Sequence, residues 1–441
     1  MRRKTGFTTA AAIAMACGSL AGDWPQFLGP ERNSTSPETG LLRSWPEGGP
    51  EILWTVPLGR GYGGPVVSDG KVYLLDRDDA VGDTLRAFDL SSGEELWSFA
   101  YEAPGSAMFP GSRSVPTVDG NRIYSCGHNG DLYAVDLTTH EPVWHRNVWK
   151  DFGGGDIPIW AITQNPLVYG DLLIVASQAP EAGVVAYDKL SGELRWKTPS
   201  LGYVGYVSPT IAKIDGDDHV VMVTPSTNPF INRDESKLGR IVGIDPLTGE
   251  ILWSYDEWNC HISVAPAVDA GDNRILVVGG YELGATMIQV EKQADGSYGT
   301  SALFTTEEFG DQTKPPILHQ GHFYAQYGTN DRRDGLSCMG MDGTILWKTK
   351  RSPEFNKGSM ILVDGLILAT DGAKSLYLIE PDPAGFKPLA SAELLGEEGT
   401  ASEGIARRVG GAVQNWAPIA LSEGNLLIRD HSRMMCVRVA E

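Results

Sequence analysis

The sequence lacks an uninterrupted apolar run of the roughly eighteen residues that a membrane-spanning helix needs, so no helical span is expected. It is also short of positive charge: 36 Lys and Arg stand against 56 Asp and Glu, a formal net charge of −20. So acidic a body repels phosphate backbones and anionic lipid, which argues against nucleic acid as a partner. Cysteine is scarce, five in 441 residues, with no CxxC or CxxCH spacing, so the usual zinc and haem motifs are missing. What is plentiful is glycine (53) and proline (27), beside 41% hydrophobic residues. That balance points to many short strands and turns, not to disorder.

Residues 1–22, MRRKTGFTTAAAIAMACGSLAG, carry three basic residues, a short run of small apolar residues and a small-residue end. They read as a secretory signal peptide cleaved near Ala21 or Gly22, which implies a periplasmic or secreted protein. Anchoring as a lipoprotein through Cys17 is the alternative, and Arg2-Arg3 hints at twin-arginine export. Removing Arg2, Arg3 and Lys4 would take the formal charge from −20 to −23. The other cysteines, Cys126, Cys260, Cys338 and Cys436, fall in different repeats and read as free or buried thiols.

Residues 23–50 are rich in Pro, Gly and Ser and have no sustained period. They read as an extended lead-in lying across the body, anchored by Trp24, Phe27 and Trp45. From residue 51 to 441 one unit recurs. Its clearest copies are AFDLSSGEELW (Asp89, Gly93, Trp97), AVDLTTHEPVW (Asp136, Trp144), AYDKLSGELRW (Asp188, Gly192, Trp196) and GIDPLTGEILW (Asp245, Gly249, Trp253). A worn copy, MGMDGTILW, ends at Trp347. The Asp can bond the turn backbone, the Gly can supply positive φ, and the Trp ends the second strand. A period of about fifty residues signals a repeat architecture.

Before each unit stands a second hairpin, an apolar strand usually opened by Pro, then a Gly turn and another apolar strand, as in PVVSDGKVYLL at Pro65. Eight such hairpins, each joined to its partner unit, predict an all-β, eight-bladed β-propeller of four-stranded antiparallel blades. The last copy, from Pro418, has only three strands, and Glu51–Val56 arrives with no front half. The N-terminal strand is therefore expected to join the last blade and close the ring.

The A-x-D-x-x-[ST]-G-E-x-x-W unit resembles the tryptophan-docking repeat of the quinoprotein, or PQQ-like, eight-bladed propellers, over residues 51–441. The lead-in DWPQFLGP is similar to the start of exported bacterial members. The resemblance implies two kinds of activity: a noncatalytic docking propeller, as in the outer-membrane assembly lipoprotein, or a PQQ-dependent alcohol or sugar dehydrogenase. For the latter it implies a tricarboxylate quinone gripped by basic and polar residues on an aromatic ring, with Ca²⁺ and a carboxylate base.

Strand order puts the loops leading into the inner strands, and the loops between second and third strands, on one face around a central funnel. Candidate ligand or cofactor residues there are Arg60, Tyr62, Arg113, Trp160, Gln164 and Tyr206, followed by His261, Lys314, Lys357, Asn415 and Trp416. Asp311 with Lys314 is the best candidate base-and-cation pair. No metal site is evident; Asn228 and Asp311 are the nearest to one. The chain also lacks the adjacent cysteine pair of the alcohol-oxidising members. Cys260-His261 is not a nucleophile–base pair, because neighbours on an extended segment point apart. Two segments on the same face remain: the insertion from Pro225 to Gly239, with Phe230 and Ile231 at its tip, and Leu394 to Gly411, a possible short helix.

The expectation is an exported, noncatalytic scaffold that docks a protein or cell-envelope partner, without a cofactor. The alternative is a quinoprotein oxidoreductase with PQQ and Ca²⁺ in the funnel. A weaker alternative is carbohydrate binding on Trp160, Tyr203, Tyr206 and Trp416.

Overall fold

The computed structural model describes residues 22–225, 239–258, 260, 262–329, 332–396 and 413–441. The leader with Cys17, Asn228, His261, and most of the segments 225–239 and 394–411 lie outside them. The strands form eight antiparallel sheets of four, one of which gains a short fifth strand. The first blade runs Val66–Ser68, Lys71–Asp78, Gly82–Asp89 and Glu95–Glu102, from axis to rim. The eighth holds Ala420–Ser422, Asn425–Arg429 and Arg433–Arg438, and takes Glu51–Pro57 as its outermost strand. The ring closes as the repeat count requires.

The repeat motif acts as a joint between blades. Asp245 Oδ1 accepts the amides of Leu247 and Thr248 at 2.8 and 2.9 Å, and Gly249 turns the chain at φ +76°. That glycine has a second role. A Cβ on Gly249 would lie 2.5 Å from the Trp196 ring of the preceding blade; Gly93 stands likewise to Trp54, and Gly192 to Trp144. Each of these indoles then donates Nε1 across the joint: Trp54 to the Leu90 carbonyl, Trp144 to Lys189 and Trp196 to Pro246, at 2.8–3.1 Å. Where the second repeat has His140 in place of glycine, the imidazole stacks on Trp97 at 4.7 Å.

Every outer strand carries a β-bulge one residue before the Trp position, for example at Leu53, Leu96, Val143 and Leu346. The bulge reverses which side of the strand the next residue faces. It leaves an apolar residue exposed and turns the following Trp toward the next blade. Trp253 departs from the expected pattern. Its Nε1 donates to His219 Nδ1 within its own blade at 2.9 Å, and the ring lies over Gly243. His219 takes the place of the neighbouring blade's carbonyl.

The lead-in runs along the inner strands. Trp24 exchanges backbone bonds with Val67, Pro25 accepts from Val118, and Thr35–Ser36 pairs in parallel with the inner strand Met360–Val363. These partners line the axis, so the segment plugs the far end of the channel. Buried Arg32 fixes it by donating to the carbonyls of Asn165, Pro166 and Pro209 at 3.1–3.2 Å. Trp24 and Phe27 are buried, and Trp45 packs on the core from the side. The four cysteines are buried free thiols.

Candidate functional site

The loops leading into the inner strands meet, as strand order dictates, around one cavity of about 160 Å³ on the axis. Tyr62, Phe109, Trp160, Tyr206 and Trp416 supply aromatic walls, and Phe27 of the lead-in also lines it. The rings lie in contact: Tyr62 and Trp416 at 5.6 Å, Phe109 and Trp416 at 5.8 Å, Trp160 and Tyr206 at 5.1 Å. They form a cage, not the flat platform a sugar face would stack on. Met108 and Ile159, the exposed chain neighbours of Phe109 and Trp160, are joined by a 3.2 Å backbone bond on the rim.

Three cations stand among these rings. The Arg113 guanidinium lies 5.6 Å over Tyr62 and lines the cavity, yet its Nε and Nη2 are buried with no hydrogen-bond acceptor. Burial lowers its pKa to about 10. Lys314 donates to the Trp416 carbonyl at 2.9 Å, and Lys357 sits 4.8 Å over the Trp416 ring. Burial, opposed by the charge of Asp311, pulls Lys314 to about 8 and Lys357 to about 7. The cavity lining includes no carboxylate.

Several sequence candidates have other work. Asp311 is fully buried, and its oxygens accept the amides of Thr313, Lys314 and Gln326 at 2.9–3.3 Å. Burial raises it to about 6, and the three amide bonds show that it shapes the loop. Gln164 is buried and holds the Val207 carbonyl, while Asn415 holds Gly396. Arg60 is exposed and lies outside the cavity lining. Burial pushes the Cys260 thiol up to about 12, which leaves it unreactive.

Three contributors escaped the sequence reading. Phe109 stands four residues before Arg113 in the same loop, and Tyr281 lies between second and third strands, on the face the strand order already identified. His431, from the equivalent loop of the eighth blade, meets Tyr62 edge-on at 4.9 Å.

The basic and aromatic residues suit an anion. Calcium takes six to eight oxygen ligands, carboxylates among them. Among the described residues no three His, Cys, Asp or Glu converge, and Asp311 has both oxygens occupied.

Comparison with known proteins gives related answers from sequence and fold. A family profile described as outer membrane protein assembly factor BamB matches residues 37–210 and 171–382. The quinohemoprotein alcohol dehydrogenase of Comamonas testosteroni is 30% identical over 44% of this chain and 32% of its own length. BamB of Kangiella koreensis is 31% identical over 31% of this chain and 32% of its own. The chain thus matches about a third of the length of these curated relatives. Among solved structures, the Comamonas enzyme superposes with a TM-score of 0.63 at 14% identity, covering 96% of this chain and 82% of that one. BamB from Moraxella catarrhalis gives 0.57 at 13%, covering 88% and 99%. These likenesses, with the eight docked blades, place the chain in the PQQ-like repeat propeller family of the BamB profile.

Proposed function

We propose that this chain is a noncatalytic, exported propeller that docks a protein partner of the cell envelope on its funnel face. The observation behind this reading is the exposed apolar pair Met108 and Ile159 on the rim, next in the chain to Phe109 and Trp160 of the aromatic cage. Exposed apolar patches that lead into a pocket mark interaction sites. None of the described residues lining the cage is a carboxylate, which supports holding a ligand over taking a proton from one. Kinship with BamB propellers supports the same reading, and no helix among the described residues is long and apolar enough to cross a membrane.

The quinoprotein alternative draws on the aromatic rings and three cations, which would suit a planar anion. The two readings separate in one pair of assays. Immobilised protein and its Met108→Lys and Ile159→Lys variants are exposed to envelope extract; a partner retained by the parent should be lost from both variants. Equal retention by all three baits removes the docking reading. In parallel, protein mixed with PQQ and Ca²⁺ should reduce no dye with alcohols or sugars. Turnover that depends on added PQQ would establish the alternative.

A further inference from the structure

We infer that the funnel is a carboxylate receptor, built around Arg113, for the C-terminal end of a partner chain whose last side chain is apolar. The inference rests on the docking reading and names the chemistry recognised at that same face.

A buried guanidinium without a counter-ion is costly, because burial strips its hydration and nothing replaces it. Proteins meet that cost with carboxylates, and this chain has a large excess of them; Arg77, for example, is buried with Asp79 and Asp83 within 2.7 and 3.0 Å. Among the described residues Arg113 has no carboxylate within ion-pair distance, although the charge of Asp79 acts on it from further off, and its Nε and Nη2 are buried without acceptors. Lys314, beside it in the lining, spends one donor on Trp416 and a long contact of 3.5 Å on Thr313, and finds no carboxylate within ion-pair distance. No described residue supplies that anion, so the proposed source is a bound ligand.

Three features narrow its identity. A guanidinium presents a planar fork that matches a carboxylate with two parallel bonds. The walls around it are aromatic, so the charge must be carried on an apolar body. The protein has a net charge of −20, which penalises a multiply charged ligand more than a single carboxylate.

Phe27, from the segment that plugs the far end of the channel, lines the cavity, so a chain entering from the loop face meets that plug. A terminal residue satisfies all of this, with its carboxylate on Arg113, its side chain among Tyr62, Trp160 and Trp416, and the preceding residues crossing the Met108–Ile159 rim.

The test uses the hexapeptide GSGSGF with a free C-terminal carboxylate and the same peptide amidated. Each is titrated into the whole protein, read by quenching of tryptophan fluorescence and by calorimetry. The acid should bind at least about tenfold more tightly than the amide, the scale of one charge-assisted bidentate contact. Arg113→Gln should bring the acid down to the amide value, with a melting temperature equal to or above the parent's, because an unpaired buried charge has been removed. Equal binding of acid and amide, binding of neither, or acid binding that survives Arg113→Gln would overturn the inference. So would a marked loss of melting temperature, which would assign Arg113 to the framework. The docking reading stands or falls separately, on Met108→Lys and Ile159→Lys.

Discussion

Trp54 and Leu90 stand on opposite sides of the seam where the ring closes, and the indole Nε1 of the one donates to the carbonyl of the other at 2.8 Å. This bond docks the outermost strand of the eighth blade, Glu51–Pro57, on the first blade. Trp54→Ala should cost about 3–5 kcal/mol, the range for emptying a buried tryptophan site. Trp54→Phe should cost less, since it keeps most of the packing and loses the donor. Denaturant unfolding measures both, and a loss under about 1 kcal/mol for the alanine variant would show that the seam is held by other contacts.

Gly93 and Gly70 allow the cost of docking to be separated from the cost of the turn. Both have positive φ, +74° and +67°, but a Cβ on Gly93 meets the Trp54 ring at 2.7 Å while one on Gly70 meets nothing within 4 Å. Gly70→Ala should lose about 1 kcal/mol from backbone strain alone. Gly93→Ala should lose a further 1–3 kcal/mol or so from the forced separation of blades. Equal losses would mean that the glycine serves the turn only.

The buried histidines make the fold sensitive to acid. Burial lowers His128 and His431 to about 4 and lowers His219, all from an ordinary 6.5. Between those values the unfolded chain binds protons that the folded chain refuses, so stability is present above pH 6.5 and falls as pH drops toward 4. His219 must stay unprotonated at Nδ1 to accept from Trp253. In His219→Phe the loss of stability between pH 6.5 and 5 should be shallower than in the parent. Unchanged slopes would remove His219 from the account.

The buried lysines act at the other end of the scale. Lys357 near 7 and Lys314 near 8 lie below their ordinary 10.5, so the unfolded chain holds protons that the folded chain gives up, and stability rises with pH above about 7. Lys357→Met should flatten that rise between about pH 7 and 8.5 and stabilise the protein at pH 7. Parallel profiles for parent and variant would show that Lys357 keeps its ordinary affinity for protons.

The blades were legible in the sequence because their signals are local. An Asp-to-Gly turn and an alternating apolar strand announce themselves within a dozen residues, and eight copies reinforce one another. The strand missing from the last copy even showed where Glu51–Pro57 belongs. The site was legible only in part. Strand order put Tyr62, Arg113, Trp160, Tyr206, Lys314 and Trp416 on one face, and they meet there. It could not show that Asp311 spends its oxygens on three backbone amides, nor that Trp253 bonds inward to His219. Those facts depend on contacts between neighbouring loops or strands, for which a repeat pattern carries no signal. The course of the lead-in along the axis was not legible for a related reason. Residues 23–50 have no period, and only their bonds to inner strands reveal that they run down the axis.

The course of that plug sets the direction in which the molecule faces. Gly22 lies against Glu423 at the turn between the first two strands of the eighth blade, and Glu441 bonds back to Gly40 beside the same end. Both described ends of the chain thus emerge on the side opposite the aromatic cage. A tether attached there would hold the propeller like a dish on a stalk, with its bowl turned outward to the surrounding solution.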